Sequence, residues 1–177
     1  MTQTIVTKTN KLDPALQLAL PVALFSHGQK LMVGSVIYSD LEPLLLTANL
    51  HKNSSTGKAI LQGGKFLVSY LHDGHREALE KFVVDRDRSG FYLNSFHEIH
   101  RNDDKLPPTP YVKDALLAFT AHLVGQFEHE SSISIFFSAE ETLETILPSS
   151  NGPLIRYNRS YAKLAAEQIP SKDDYPV

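Results

Sequence analysis

Residues 44–68 read LLLTANLHKNSSTGKAILQGGKFLV, and this stretch decides the fold. It opens with a continuous apolar run over 44–50, which predicts a strand buried on both faces. Polar residues follow and lead into a short helix, which is predicted over 54–61 and is ended by the glycine pair 63–64. Residues 65–71 then return as a strand. Two strands separated by a small helix indicate a mainly β chain with short helices.

The rest of the chain repeats the pattern of short strands joined by tight turns. The alternating run from Leu117 to Phe127 predicts a long half-buried strand. Further strands are predicted at 22–26, 30–37, 132–137, 142–147 and 153–157, and helices from Asp13 and at 75–83. Because turns, and not regular crossover helices, link most of the strands, the pattern favours an antiparallel barrel over a doubly wound parallel sheet.

The composition is that of an ordinary globular protein. The 177 residues are 42% apolar and 21% charged, and the net charge is -3. A chain without a surplus of Lys and Arg is not expected to bind nucleic acid. The absence of cysteine excludes disulfides, thiolate metal sites and cysteine nucleophiles. The polar start and the lack of a long apolar run predict neither a signal peptide nor a membrane span, so the expected location is the cytoplasm.

A single domain is expected over residues 1–177, with the barrel over 21–164 and a polar tail after it. Residues 85–110 are charged, rich in turn formers and poorly periodic, so we interpret them as a long irregular excursion. The aromatic side chains in and beside this excursion are too apolar for plain solvent: Phe91, Tyr92, Phe96 and Tyr111. Either they cover the barrel of their own chain, or they contact a second copy in a homodimer.

The polar stretch Asn49–Lys58 is the most informative candidate site. Free N–H groups at a helix start, together with Ser and Thr hydroxyls and a lysine, form an anion site that suits a phosphate monoester. The alternative is an ordinary capped helix, since Ser, Thr and Asn are the usual N-caps. Thr56-Gly57-Lys58 imitates the end of a P-loop. That motif is rejected, because Lys52 and Ala59 stand where it needs Gly and Ser or Thr.

Other patterns that carry chemistry are weak. His97 and His100 lack the spacing of a zinc-protease helix, and His72 and His75 flank a turn. Without cysteine or an evident third ligand, no metal site is expected. The chain also lacks the Gly-x-Ser-x-Gly elbow of a serine nucleophile.

The order of the segments resembles the flavin reductase-like family. The resemblance is carried by the turn Leu41-Glu42-Pro43 before the first strand quoted above, the Ser-x-Thr loop at Ser54–Thr56 and the strand Gly64–Val68. The closing segment Pro153–Tyr161 is also similar to the family's pattern. Each motif is loose alone, but their order and spacing cover nearly the whole chain.

This resemblance implies an antiparallel split β-barrel that binds FMN, or alternatively FAD, commonly as a homodimer with the flavin near the interface. The segment 34–39 would present its backbone to the isoalloxazine ring, and the polar stretch would hold the ribityl chain and the phosphate. The cofactor-binding residues implied are Ser35, Val36, Ile37, Tyr38, Ser39, Asn49, His51, Lys52, Asn53, Ser54, Ser55 and Thr56. No catalytic residue is assigned, because the flavin itself carries the chemistry.

Two departures from the family's pattern bear on activity. The family's ring-binding strand usually carries paired small hydroxyl residues, of which only Ser35 is kept. Residues 130–133, Glu-Ser-Ser-Ile, stand where many reductases carry a Gly-Asp-His turn associated with nicotinamide. His129 lies nearby but out of register, and the glutamates on either side of it would disfavour the extra phosphate of NADPH.

Three functions are therefore open. The first is an NAD(P)H:flavin oxidoreductase, which passes hydride from NADH or NADPH to flavin and reduced flavin to a partner monooxygenase or to oxygen. The second is a non-enzymatic flavin-binding protein, such as an electron carrier or a redox sensor, that ignores nicotinamide. The third is a barrel that kept the dimer scaffold and lost the cofactor, since fold does not imply function.

Overall fold

The computed structural model describes residues 20–41, 44–91, 106–145, 152–157 and 160–163. Within these ranges the strands are β1 (Leu20–His27), β2 (Lys30–Leu41), β3 (Leu44–His51), β4 (Lys65–Tyr70), β5 (Leu117–Glu128), β6 (Ser132–Thr145), β7 (Leu154–Tyr157) and β8 (Ser160–Lys163). The helices are α1 (Ser55–Gly63) and α2 (Arg76–Asp85), the second preceded by a 3-10 turn over Asp73–His75. The helix predicted from Asp13 and the polar tail lie outside the described residues.

The first six strands close into an antiparallel barrel. The hydrogen-bonded order is β2-β3-β6-β5-β4-β1, and a further pairing of β1 with β2 closes the ring. All of these pairs are antiparallel. The hairpin of β7 and β8 extends the sheet from the start of β1, where Leu20 lies opposite Arg156. The mainly β, antiparallel barrel with short helices that the sequence predicts is confirmed.

Three phenylalanines fill the centre of the barrel. The ring centroids of Phe66 and Phe137 are 5.1 Å apart. The centroid of the Phe25 ring lies 6.1 Å from that of Phe66 and 6.2 Å from that of Phe137. Contacts at these distances and tilted angles stabilise a core beyond the area they bury. All three side chains are fully buried, so they fix how far apart the strands of the barrel stand.

A second apolar cluster lies outside the barrel and seats α2. Leu79 and Phe82 of α2 are buried against Leu24 of β1 and Val112. Phe91 belongs to this cluster and packs against Phe82 with ring centroids 5.8 Å apart. The helix is thereby held beside the outer edge of β1 and β2, which places its C-terminal end at the candidate site described below.

The described part of the long excursion covers its own barrel. Phe91 is buried and Tyr111 is half-buried against the second cluster. The Ser26 hydroxyl donates to the Pro110 carbonyl at 2.7 Å, and the Gly28 N–H donates to the Thr109 hydroxyl at 2.8 Å. These two aromatic residues therefore do not need a second copy to cover them. Tyr92 and Phe96 lie outside the described residues.

Two of the predicted strands differ from the structure. The run 44–50 forms β3 but alternates between buried and exposed positions, with Leu44 44% exposed. It is buried on one face only, because the outer face of a barrel strand is covered only where another element packs on it. The strand predicted at 142–147 is not separate from 132–137. The two form one strand, β6, which continues past 137 with shifts of register against β5.

Candidate functional site

A continuous groove runs along the outside of β2, and from here on it is called the groove. Its middle is a cavity of about 320 Å³ beside Gly34 and Ser35. This cavity shares Gly34, Ser35 and Arg156 with a cavity of about 270 Å³ toward Asn49. In the other direction it shares Met32, His51, Ser54 and Arg86 with a cavity of about 550 Å³ at the start of α1. The three adjoining cavities suit an elongated ligand.

The start of α1 forms one end of the groove. Ser54 is the N-cap residue, and its hydroxyl oxygen accepts a hydrogen bond from the Gly57 N–H at 3.1 Å. His51 organises the turn before it, since its Nδ1 accepts from the Asn53 N–H at 3.1 Å and its carbonyl from the Ser54 N–H at 2.9 Å. The capped helix and the anion site, which the sequence leaves as alternatives, therefore share the same residues.

Two backbone donors of this turn remain for a ligand. Gly57 is bonded to the Ser54 side chain and Lys58 to the Ser54 carbonyl, whereas the structure gives no partner among the described residues for the N–H groups of Ser55 and Thr56. Both residues line the groove. Free N–H groups in the first turn carry partial positive charge, so they favour an anion at this point.

Arginine side chains from beyond α2 line the same end. Arg86 lies directly after α2 in the left-handed region, with φ of 61°, and its N–H donates to the Phe82 carbonyl. Such a conformation is unfavourable for a residue other than Gly or Asn by about 1 kcal/mol. Arg88 donates from Nη1 to the Gln29 carbonyl at 3.1 Å, while its buried Nε has no hydrogen-bond partner among the residues that the structure describes. Both side chains add positive charge opposite the start of α1.

The other end of the groove combines apolar and polar side chains in about equal measure. It is formed by Leu20, Val33, Ile37 and Ala48 together with the polar groups of Ser35, Thr47 and Asn49. Arg156 of β7 lines both this end and the middle. Apolar side chains beside a few hydrogen-bonding groups suit a flat heteroaromatic ring.

Comparison with known proteins identifies the family of the chain. A model described as the flavin reductase like domain matches residues 16–165. The chain belongs to the flavin reductase-like family. No curated protein sequence matches the chain.

Solved structures show the fold of the family in related proteins. The flavin reductase PheA2 has a TM-score of 0.67 at 17% identity, covering 86% of this chain and 94% of that one. Nitrilotriacetate monooxygenase component B of Mycobacterium thermoresistibile gives 0.70 at 19%, covering 91% and 90%. The NADH:FAD oxidoreductase SgcE6 of Streptomyces globisporus gives 0.69 at 13%, covering 99% and 98%. At such identities the likeness establishes the fold alone.

Most of the residues that the family resemblance implied are brought together in the groove. These are Ser35, Ile37, Asn49, His51, Asn53, Ser54, Ser55 and Thr56. Val36, Tyr38, Ser39 and Lys52 do not line the three cavities. Val36 is buried in the barrel core, whereas Tyr38 is 68% exposed. The assignment of all these residues to a flavin stays a prediction.

Lys52 faces the hairpin between β5 and β6. Its Nζ lies 3.3 Å from Glu128 Oε2, and its backbone N–H donates to the Ser131 carbonyl. A partly exposed ion pair of this kind contributes little to stability. It does offset one of the two glutamates that flank His129, so the negative charge of the hairpin is lower than the sequence alone indicates.

Sequence reasoning assigned no role to three arginines that line the groove. Arg86 and Arg88 follow α2, far along the chain from the polar stretch, and Arg156 lies on β7. No local motif marks them, because their place in the site depends on how α2 and β7 pack on β1. The available signal is weak: two arginines alternate with aspartates over residues 85–88, just after an amphipathic helix.

The histidine pair at the start of α2 is structural. The rings of His72 and His75 are 3.9 Å apart, and each Nδ1 accepts a backbone N–H within the same turn. Burial lowers the pKa of His75 to about 4, and the nearby His72 acts in the same direction. Among the described residues there is no group of three His, Asp or Glu side chains placed to hold a metal ion. Likewise, no helix in those ranges is long and apolar enough to cross a membrane.

Proposed function

We propose that this chain is a flavin reductase that binds FMN in the groove and reduces it with NADH or NADPH. The observation that carries the proposal is the polarity of the groove. One end has free backbone donors and two arginines, and the other end has the apolar side chains of Leu20, Val33 and Ile37 beside several hydrogen-bonding groups. An FMN molecule has the same order, with a doubly charged phosphate, a chain of hydroxyls and a flat ring.

Each end of the groove has its own task in this proposal. Ser55 and Thr56 would donate backbone N–H groups to the phosphate, and Arg86 and Arg88 would neutralise its charge. His51 and Ser54, which line the middle, are placed to bond the ribityl hydroxyls. Val33, Ile37 and the backbone at Gly34 would form the bed for the ring, since they line the end of the groove beside Asn49, which we call the ring end.

Bound flavin supplies the redox chemistry, because it accepts a hydride from reduced nicotinamide. The task of the chain is to hold the two rings together and limit the access of water. No side chain has to transfer a proton for that step, so the lack of an acid–base pair in the groove is consistent with the activity. Reduced flavin would then be passed on to a partner monooxygenase or to oxygen, and one structural neighbour is, by its name, a component of a monooxygenase.

A homodimer is also part of the proposal. The outer face of the barrel carries an apolar stripe formed by Ile37, Phe136, Val124 and Phe127. Ile37 and Phe136 share one row across the sheet, because both are opposite Thr47. Val124 is 56% and Phe127 62% exposed on the next strand. Exposed apolar surface that begins at the groove favours a second copy that covers both.

A second candidate is a flavin-binding protein that does not oxidise nicotinamide. It is favoured by the charge of the hairpin between β5 and β6, where Glu130 follows Glu128, which is paired with Lys52. The remaining negative charge of this hairpin would disfavour the negatively charged parts of a nicotinamide dinucleotide. In this alternative the groove binds FMN equally well and the bound flavin serves as an electron carrier or a redox sensor.

Titration of the purified chain with flavins tests the binding proposal. Quenching of the flavin fluorescence measures the dissociation constant of each ligand. The constant for FMN should be about tenfold or more below the constant for riboflavin, which lacks the phosphate. Raising the salt concentration should weaken FMN binding and leave riboflavin binding nearly unchanged. FAD is titrated in parallel, since the large cavity beyond Ser54 leaves the choice between FMN and FAD to measurement. Failure to bind any of the three flavins would remove both candidates.

Anaerobic mixing with nicotinamide separates the two candidates. A reductase should lose the visible flavin absorbance when NADH or NADPH is added, and it should turn over with excess FMN in air. A carrier should keep its absorbance with either nicotinamide and lose it only with dithionite. The matched control is FMN with NADH in the absence of protein.

A further inference from the structure

A chain of hydrogen bonds links the β5–β6 hairpin to the ring end of the groove. Ser134 of β6 lies opposite Asn49 of β3, and its hydroxyl donates to Asn49 Oδ1 at 2.6 Å. On its other side, the same hydroxyl oxygen is 2.7 Å from His129 Nε2. Asn49 lines the groove, whereas His129 and Ser134 do not line the cavity of which Asn49 is a part.

The bond that Ser134 donates to Asn49 Oδ1 sets the direction of the whole chain. A serine hydroxyl has one hydrogen, and here it is directed to Asn49. The contact between Ser134 and His129 therefore requires a hydrogen on His129 Nε2. With its oxygen engaged by Ser134, the Asn49 amide has its NH₂ group left to donate. If the imidazole carried its hydrogen on Nδ1 alone, every bond would reverse and Asn49 would offer its oxygen.

We propose that His129 is a positioning residue for flavin recognition. Through Ser134 it holds the Asn49 amide so that the NH₂ group faces the ligand. The groove then selects a ring that has a hydrogen-bond acceptor, such as a carbonyl oxygen or an unprotonated ring nitrogen, at this point. The inference rests on the proposed function, because it assigns a flavin ring to the ring end of the groove.

The surroundings of His129 keep its ring in place. Its backbone N–H donates to the Ser132 carbonyl at 2.9 Å, which closes the hairpin. The Phe127 ring packs edge-on against the imidazole with centroids 5.0 Å apart. The charged groups beside it are Glu128 and Glu130 in the hairpin and Lys52, which pairs with Glu128. These contacts hold His129 Nε2 in position, and none of them is a hydrogen bond to the Ser134 hydroxyl.

Three variants test the chain through the dissociation constant of FMN. His129→Phe keeps the ring shape and removes the donor, and Ser134→Ala removes the link, so each should weaken binding about fivefold. The double variant should bind no more weakly than Ser134→Ala alone, since both substitutions break the same chain. His129→Gln keeps an N–H donor and should stay within about twofold of the unaltered protein. Additive losses, or a Gln variant as weak as the Phe variant, would overturn the proposal.

The same hairpin offers a matched control. His122 and Ser138 form a second histidine–serine pair, with 3.0 Å between Nδ1 and the hydroxyl, and neither lines the groove. His122→Phe and Ser138→Ala should leave FMN binding within about twofold. Equal losses from the two pairs would mean that loosening the hairpin, and not the direction of the Asn49 amide, explains the effect.

A second readout does not need the flavin. Nitrogen-15 NMR of the ligand-free protein should show His129 Nε2 bonded to hydrogen, and Ser134→Ala should shift the side-chain NH₂ signals of Asn49. An unprotonated Nε2 at neutral pH would overturn the proposal even if FMN binds. If no flavin binds but Nε2 carries its hydrogen and the Asn49 signals respond to Ser134→Ala, the proposed function fails while the hydrogen-bond chain stands.

Discussion

The backbone at Gly34 lies against the ring of Phe25, so closely that a Cβ atom at residue 34 would be 2.8 Å from Phe25 Cε2. Phe25 cannot move aside easily, because it is fully buried between Phe66 and Phe137. The opposite side of Gly34 lines two of the three cavities of the groove. The barrel core and the bed of the candidate flavin site thus meet at one residue that has no side chain.

Gly34→Ala should therefore damage both the core and the groove. The methyl group would force the Phe25 ring or strand β2 to shift, at a cost of about 1–3 kcal/mol in the free energy of unfolding. A shift of β2 into the groove would also weaken FMN binding. Urea denaturation followed by FMN titration measures both effects. Gly125→Ala is the control on β5, since a Cβ there meets no atom within 4 Å. Equal stability of the two variants would contradict this account.

The strands and helices were predictable because their signals are local. Leu46, Ala48 and Leu50 alternate with residues that are less buried, and Gly64 ends α1 with φ of 74°. What local patterns did not show is how many faces a strand buries. The apolar run at Leu44 looks fully buried in sequence, and only the closed barrel leaves its outer face uncovered.

The candidate site divides in the same way. The residues of the turn from His51 to Thr56 are consecutive in sequence. Its helix cap and its candidate donors to an anion could therefore be predicted from neighbouring residues. The arginines could not, because their position depends on the packing of α2 and β7. In sequence, His129 is out of register with the family's turn. In the structure, the pairing of Glu128 with Ile133 brings the His129 ring to Ser134. Sequence spacing around a hairpin does not reveal which side chains meet across it.

Arg86 should matter for ligand binding but not for folding. Arg86→Gly relieves the left-handed backbone but loses the contact with the Phe82 ring, whose centroid is 5.9 Å from the guanidinium carbon. These effects oppose each other, so the free energy of unfolding should change by less than about 1 kcal/mol. FMN binding should weaken about tenfold at low salt, and the difference should shrink as salt is added.

The control for Arg86→Gly removes one positive charge at the other end of α2. Arg76 pairs with Glu80 at the exposed start of the helix and lines none of the three cavities. Arg76→Ala should leave the dissociation constant of FMN within about twofold. If both variants bind FMN equally weakly, net charge and not the Arg86 side chain accounts for the loss.

The proposed homodimer depends on the apolar stripe of the barrel. Val124→Glu places a charge in the middle of that stripe. In a symmetric dimer each chain would bring one such carboxylate into the same apolar interface. We expect sedimentation to give twice the mass of one chain for the unaltered protein and a single-chain mass for the variant. Val84→Glu makes the same substitution at a valine of α2 that is 77% exposed and should leave the dimer intact. A single-chain mass for the unaltered protein at micromolar concentration would end the dimer proposal.

The buried His75 predicts how stability depends on pH. Burial, and then the charge of His72, lower its pKa in the folded chain to about 4, against a hydrogen bond to the Lys113 carbonyl and the charge of Asp114, which raise it. The unfolded chain takes up a proton at about pH 6.5. Between these values the unfolded chain binds a proton that the folded chain does not, so the free energy of unfolding decreases by about 3 kcal/mol in total as the pH is lowered from about 6.5 to about 4, and then levels off.

Urea denaturation at a series of pH values, compared with His75→Gln, isolates this contribution. The Gln variant cannot take up the proton, so its stability curve should be flatter than that of the unaltered protein between about pH 6.5 and 4. It should also be less stable at neutral pH, because Gln does not reproduce both ring contacts of His75 with the backbone. Parallel curves for His75→Gln and the unaltered protein would show that another group controls the loss of stability in acid.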